Sequence, residues 1–126
     1  MNDEAGIWWR QAQADIAAAA YNMTSRYPYV GSWLVQQAVE KGLKALLIDR
    51  GLSLPRTHNL RYLGGLLSVT SPIRVDLLEA DPLFEMTRYP YPDGGIPAER
   101  IAATDAERHV AAGQRVLRWI ENELRP

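Results

Sequence analysis

The stretch "LVQQAVEKGLKALLIDRG", Leu34 to Gly51, decides the fold that this chain predicts. Its apolar residues recur at helical spacing in two adjacent rows, which are Leu34, Ala38, Gly42 and Ala45, and Val35, Val39, Leu43 and Leu46. A helix with so wide an apolar face packs against several neighbours. The small residues of the first row predict a close helix neighbour, and Gly51 suits the left-handed position just past a helix end.

The same stretch also carries a dense set of polar residues, namely Gln36, Gln37, Glu40, Lys41 and Lys44. Residues 37, 40, 41 and 44 share one helix face. Glu40 and Lys44 have the spacing and order of a helix-stabilising ion pair, worth about 0.2–0.5 kcal/mol. Spacing alone therefore predicts a solvated helix face.

Two further helices are indicated on either side of this one. Trp8, Ala12, Ile16, Ala19 and Met23 recur at steps of three and four and predict a first helix from about residue 4 to 26. The sequence "RYPYVGS" breaks that pattern. After the connector "SLPRTHNL", Thr57 or Asn59 can cap a third helix that carries a row of leucines.

The second half of the chain predicts two more helices separated by a long loop. Ser71 and Pro72 suit the start of one helix, which Pro82 should end or kink. The loop runs from Thr87 to Glu99, "TRYPYPDGGIPAE", and long ordered loops in compact domains are often functional. The sequence "TDAE", residues 104–107, then resembles a capping box that opens the last helix.

Long helices with short connections predict an all-α fold, an antiparallel helical bundle. The 126 residues suit a single domain, residues 1–126. A net charge of -1 gives no bulk electrostatic attraction to DNA or to an anionic membrane. The absence of cysteine excludes thiolate sites, and the two histidines lack zinc-site spacing, so no metal or cofactor is expected. The acidic N-terminus and short apolar runs favour a cytoplasmic protein.

Three elements in series resemble the HEPN family of small helical domains. They are the run "QQAVEKGLKALL", the element "THNL" at residues 57–60, and the element "TRYP" at residues 87–90. The resemblance covers roughly residues 8 to 124. It implies an antiparallel up-and-down four-helix bundle with a short extra helix. It further implies that this bundle forms a homodimer and associates with a nucleotide or RNA. It also implies pairing with a minimal nucleotidyltransferase, as in toxin–antitoxin modules.

The ligand contacts that this resemblance favours are Lys41, Lys44, His58, Arg88 and Tyr89. An arginine on a proline-anchored loop can present its planar fork to phosphate, and a tyrosine can stack on a base. The alternative is that Tyr89 packs on the bundle while Arg88 pairs with a carboxylate such as Glu85. If a partner transfers nucleotidyl groups, Tyr89 and Tyr91 are the candidate acceptors.

Catalytic HEPN proteins carry an arginine followed, after four to six intervening residues, by a histidine, and they cleave RNA without metal. The family pattern is absent here, because seven residues separate Arg50 from His58 and eight separate Arg100 from His109. His58 and His109 stay weak catalytic candidates for a metal-independent ribonuclease. We expect His58 to fix its loop or to contact phosphate or a partner, and we expect His109 to lie on the surface. A third alternative is a structural dimerisation module that recruits another protein.

Overall fold

The computed structural model describes residues 1–124, which are all-α in agreement with the sequence prediction. Seven helices follow one another along this part of the chain, and no strand occurs in it. They are α1 (Asp3–Asn22), α2 (Pro28–Asp49), α3 (Leu60–Leu66), α4 (Ile73–Ala80), α5 (Leu83–Met86), α6 (Pro97–Arg100) and α7 (Ala103–Glu123). None of the described helices is both long and apolar enough to cross a membrane.

Contacts between helix ends define an up-and-down bundle of α1, α2, α4 and α7. The side chain of Asn2, at the start of α1, reaches the carbonyl of Ile48, near the end of α2, so these two helices are antiparallel. Arg115 and Arg108 of α7 pair with Asp76 and Glu79 of α4 in reversed order, so α4 is antiparallel to α7. The four-helix prediction is confirmed, with α3, α5 and α6 as short additions.

Helix α2 is the centre of the bundle, and small residues let its neighbours approach closely. A Cβ atom added at Gly42 would lie 2.9 Å from Ile120 Cδ1 of α7, which fits the predicted close contact. A Cβ atom at Gly31 would lie 3.0 Å from the backbone oxygen of Ala19 in α1. Gly31 therefore serves the crossing of α1 and α2.

Several predicted helix boundaries hold, and the break between the first two helices is displaced. Asn59 caps α3 by accepting from the Tyr62 N–H at 2.9 Å, and Gly51 has a positive φ of 72°. Helix α1 ends at Asn22, earlier than the predicted residue 26. Helix α2 begins at Pro28, inside the stretch "RYPYVGS" that was expected to interrupt the helices, because proline is tolerated in the first helical turn.

The last helix also begins differently from the prediction. Helix α7 starts at Ala103 with Ala102 as its N-cap, so the predicted box over residues 104–107 is wrong. The carboxylate of Asp105 accepts from the Ala102 N–H at 3.0 Å. Only one of the two reciprocal hydrogen bonds of a capping box is therefore formed, since the alanine at the N-cap has no side-chain acceptor.

Candidate functional site

Three of the five polar residues of the α2 run are buried and the other two, Gln37 and Lys41, are half-buried, so the solvated face predicted from spacing is wrong. Gln36 is fully buried, and Glu40 and Lys44 are nearly so. Glu40 accepts from Gln36 Nε2 at 3.1 Å and from Lys44 Nζ at 3.0 Å, which confirms the Glu40–Lys44 ion pair. Helix α1 and the connector before α3 cover this face, and periodicity cannot reveal such a cover.

The third donor to Glu40 is the imidazole of His58, whose Nδ1 lies 2.8 Å from Glu40 Oε1. Burial raises the pKa of the Glu40 carboxyl, but hydrogen bonds from His58, Lys44 and Gln36 together outweigh burial, and the net pKa is below its ordinary value. Glu40 is therefore a fixed carboxylate at neutral pH. It holds the connector before α3 against α2.

His58 is both tethered and accessible, because only one of its ring nitrogens is engaged. Its side chain is 57% exposed. The ring stacks on Phe84, with centroids 4.3 Å apart and planes 16° from parallel. Nε2 has no hydrogen-bond partner within residues 1–124.

Arg88 lies just after α5 and packs against the same phenylalanine. Its guanidinium carbon is 3.9 Å from the Phe84 ring centroid and 5.5 Å from that of Trp33, within the range of cation–π contact. One guanidinium nitrogen donates to the Phe84 carbonyl at 3.1 Å. His58 and Arg88 both lie within about 4 Å of one ring centroid, a distance typical of face contacts. They must occupy opposite faces of Phe84.

The resulting row of Trp33, Arg88, Phe84 and His58 is called the aromatic stack below. It bears on the alternative in which Arg88 pairs with a carboxylate. In the part of the chain described here Arg88 has no carboxylate partner, so the pair with Glu85 that this alternative named is not formed. Tyr89 is 54% exposed, so about half of its surface faces solvent.

A pocket of about 370 Å³ adjoins the aromatic stack. Its lining combines the two aromatic rings with acidic and apolar side chains, namely His58, Asn59, Asp81, Pro82, Phe84, Glu85 and Met86. A volume of this size is at the lower end for small-molecule sites. Two separate segments of the chain, the α3 start and α5, therefore form one concave surface.

Neither of the predicted lysine contacts lines this pocket, although Lys44 shares the Glu40 carboxylate with His58. Lys41 pairs with Asp15 of α1 at 2.6 Å. Lys44 donates to Glu40, and its ammonium lies 5.8 Å from the Trp8 ring centroid. The structure thus brings His58 and Arg88 together in the aromatic stack, whereas both lysines are engaged between α1 and α2.

The two candidate tyrosines differ in the state of their hydroxyl groups. Tyr91 donates its hydroxyl to the Met86 carbonyl at 2.8 Å, and burial raises its pKa despite the nearby Arg100 cation. Tyr89 has no such bond within residues 1–124. Tyr89 is therefore the more accessible of the two hydroxyls.

His109 is buried, so the prediction of a surface histidine is wrong. It is 5% exposed, and its Nδ1 lies 2.8 Å from Ser32 Oγ, a contact that joins α7 to α2. Burial lowers the His109 pKa, and the neighbouring Arg108 cation lowers it further. His109 faces the α2 side of its helix because Ala106, Val110 and Gly113 of the same stripe are buried there.

Sequence reasoning missed the roles of Phe84, Trp33 and Glu40 in this site. Glu40 belonged to the recognised run, but nothing in its spacing pointed to a histidine 18 residues away. Phe84 is the only phenylalanine in the sequence, a weak signal in itself. Within residues 1–124, no cluster of His, Asp and Glu could hold a metal ion.

Comparison with known proteins assigns the chain to a family. The model of the HEPN domain matches residues 5–123. The chain belongs to the HEPN domain family. The crystal structure of TT1696 from Thermus thermophilus superposes with a TM-score of 0.85 at 24% identity, covering 98% of this chain and 100% of that one. At that identity the likeness is one of fold.

A second solved structure is similar to this HEPN chain. It is ST0689, described as an archaeal HEPN homologue, with a TM-score of 0.76 and 26% identity. The alignment covers 96% of this chain and 98% of that one. Comparison with curated proteins gives no match. The family and the fold are therefore established. The ligand has to be inferred from the geometry of the site.

Proposed function

We propose that this HEPN protein is a binding module that engages a nucleotide or RNA through Arg88 and His58. The observation that carries the proposal is the state of the Arg88 guanidinium. It is partly buried between Phe84 and Trp33, yet only one of its hydrogen bonds is made within residues 1–124. A guanidinium has five N–H donors and suits phosphate geometry.

Comparison with the other arginines supports this choice. Five others in residues 1–124 also lack a carboxylate partner, but each is solvent-exposed, namely Arg10, Arg26, Arg56, Arg74 and Arg118. Arg88 is instead held in place by two aromatic rings. A cation that is oriented in advance loses less conformational entropy when it binds phosphate.

Thermal unfolding with a panel of nucleotides tests the proposal. A ligand that binds only the folded state, at a hundred times its dissociation constant, should add about 2.7 kcal/mol to stability. We expect a shift for one or more nucleotides that is lost in Arg88→Ala and kept in Arg74→Ala, a matched exposed arginine. No shift with any nucleotide or short RNA, or equal shifts in both variants, would contradict the proposal.

A second candidate function is metal-independent RNA cleavage, and one observation favours it. Glu40 fixes Nδ1 of His58, which leaves Nε2 as the nitrogen that could take a proton from a 2′-hydroxyl. His109 is buried against Ser32, so His58 is the better catalytic candidate. Cleavage that persists in chelator and disappears in His58→Ala but not in His109→Gln would support this function. Cleavage that survives in both variants would exclude it.

We further propose a homodimer, supported by an apolar surface between α2 and α3. Leu52, Leu54, Tyr62 and Leu66 are all exposed around a pocket of about 300 Å³. Such a surface would also serve the alternative of a structural module that recruits another protein. Sedimentation should give a dimer that Leu54→Glu dissociates and Val75→Glu, on an exposed site of α4, does not. A wild-type monomer at all concentrations would contradict dimerisation.

Pairing with a minimal nucleotidyltransferase, in a cytoplasmic toxin–antitoxin-like module, is also part of the proposal. Support comes from the family and from the exposed Tyr89 hydroxyl, with Tyr91 as the less accessible acceptor. Intact-mass measurement after incubation with the partner and ATP should record a nucleotidyl addition that Tyr89→Phe abolishes. An unchanged mass with a demonstrably active partner would argue against it.

A further inference from the structure

The pocket beside the aromatic stack is rich in groups that accept hydrogen bonds. Asp81 uses one carboxylate oxygen to accept from the Leu60 N–H at 2.8 Å, while its other oxygen lies 3.8 Å from Arg61 Nε. The Glu85 carboxylate has no hydrogen-bond or ion-pair partner within residues 1–124. Two carboxylates at one pocket disfavour phosphate there and favour a neutral group with N–H or O–H donors.

His58 adds a third acceptor because Glu40 determines its tautomer. The Glu40 carboxylate is ionised and can only accept, so the hydrogen between the two residues belongs to Nδ1 of His58. In the neutral imidazole, Nε2 is then an acceptor. His58 is among the residues that line the pocket, and its Nε2 is unengaged within the described chain.

Donors and acceptors are thus separated across Phe84. The free N–H groups of Arg88 lie on one side of the ring, where Arg88 lines a second pocket of about 280 Å³. The acceptors of His58, Asp81 and Glu85 lie around the first pocket, so a ligand that uses both sets of groups spans the edge of Phe84. A matching ligand has an anionic group next to a neutral group that donates hydrogen bonds. In a nucleotide, the group adjoining the phosphate is the sugar, and a ribose differs from a deoxyribose by its donating 2′-hydroxyl.

We infer that His58 Nε2 and the Asp81 and Glu85 carboxylates bind ribose hydroxyls, so that this site selects ribonucleotides over deoxyribonucleotides. The inference rests on the proposed binding of a nucleotide at Arg88. It makes His58 a specificity-determining residue rather than a phosphate contact. Glu40 is the positioning residue that holds the hydrogen on Nδ1, so that in the neutral imidazole Nε2 is the accepting nitrogen.

Calorimetric titration with AMP, CMP, GMP, UMP and their 2′-deoxy counterparts tests the inference. We expect a ribonucleotide to bind about tenfold more tightly than its deoxy form, the effect of about one lost hydrogen bond. His58→Phe keeps a ring that can stack on Phe84 but has no acceptor. It should weaken binding of the ribonucleotide to the level of the deoxynucleotide and leave the deoxynucleotide unchanged.

Glu85→Gln is a second variant that does not depend on the fold of the connector, because the Glu85 side chain is exposed and its carboxylate has no partner in the described residues. It should reduce the preference for ribose without abolishing phosphate binding. Arg88→Ala should instead weaken both nucleotide forms equally, which separates the two ends of the ligand.

Three results would overturn the inference, and they differ in what they say about the proposed function. Equal affinity for ribo and deoxy forms, lost in Arg88→Ala, overturns ribose selection and leaves nucleotide binding standing. Tighter binding of one base, equal for its ribo and deoxy forms, would mean that the pocket binds base amino groups. This result would also overturn ribose selection. Failure of every nucleotide to bind overturns the proposed function and the inference together.

Discussion

At the scale of single residues, Glu40 joins three other side chains through one carboxylate. It is a nearly buried carboxylate that receives hydrogen bonds from Gln36, Lys44 and His58. Removing one partner of a buried ion pair leaves the other charge without compensation. The stability of the α2 surface and the orientation of the His58 ring therefore depend on the same side chain.

Glu40→Ala should lower the free energy of unfolding by about 3–5 kcal/mol, because it leaves Lys44 as an uncompensated buried cation. Glu40→Gln keeps an acceptor of the same shape and should cost less. Urea unfolding of both variants measures the difference. A loss below about 1 kcal/mol for Glu40→Ala, typical of an exposed ion pair, would contradict this role.

Single residues also mark the limit of what the sequence could predict about the site. Arg88 and His58 were both predicted as contacts, because they lie in the recognised elements "TRYP" and "THNL". Phe84, which joins them, could not be predicted, since nothing in its neighbourhood indicates which rings it will meet. Contacts between segments far apart in sequence depend on the tertiary arrangement, and a single sequence carries no direct record of it.

At the scale of secondary structure elements, helical spacing predicted which residues share a face but not what covers that face. The rows of α2 are correct, and both of them are largely buried. The polar run was misjudged because Asp15 of α1 and His58 of the connector supply its partners. A buried polar face and a solvated polar face have the same residue spacing in a sequence. Only the tertiary positions of the partner residues distinguish them.

The crossing of α1 and α2 gives a matched pair of glycine substitutions. A Cβ atom at Gly31 would meet backbone atoms of Ala19 at 3.0 Å and Met23 at 3.1 Å, and backbone atoms cannot rotate away. We expect Gly31→Ala to destabilise the protein by about 1–3 kcal/mol through overpacking. Thermal unfolding gives the value.

Gly6 is the control for that substitution, because it lies within α1 and a Cβ atom there meets nothing within 4 Å. Gly6→Ala should stabilise the protein by about 0.5–1 kcal/mol, since alanine has the higher helix propensity. Equal effects of the two substitutions would mean that the crossing does not require glycine at position 31.

At the scale of the whole molecule, buried titratable groups couple stability to pH in two separate windows. Glu40 has a folded-state pKa below its ordinary value of 4.5, so its contribution is present at neutral pH and is lost as the pH falls below that value. His109 has a folded-state pKa below its ordinary value of 6.5. The unfolded chain therefore binds a proton at His109 more readily than the folded chain does.

Protonation of His109 lowers the stability of the folded chain, as protonation of Glu40 does. The pH range in which His109 has this effect lies higher than that of Glu40. Stability is complete above the unfolded pKa of about 6.5 and falls as the pH drops below it, because protonation favours the unfolded chain. We expect the unfolding free energy of the wild type to decline already between about pH 6.5 and 5, before carboxylates titrate. Urea unfolding at a series of pH values measures this.

His109→Gln removes the titrating group while keeping a polar side chain beside Ser32, on the buried contact that joins α7 to α2. Whatever its stability at neutral pH, its curve should be flat in the upper window and decline only in the lower one, where Glu40 titrates. A wild-type curve that is flat down to about pH 5 would contradict a buried neutral His109, given the ordinary histidine pKa. A decline that His109→Gln leaves unchanged would assign the upper window to a group other than His109.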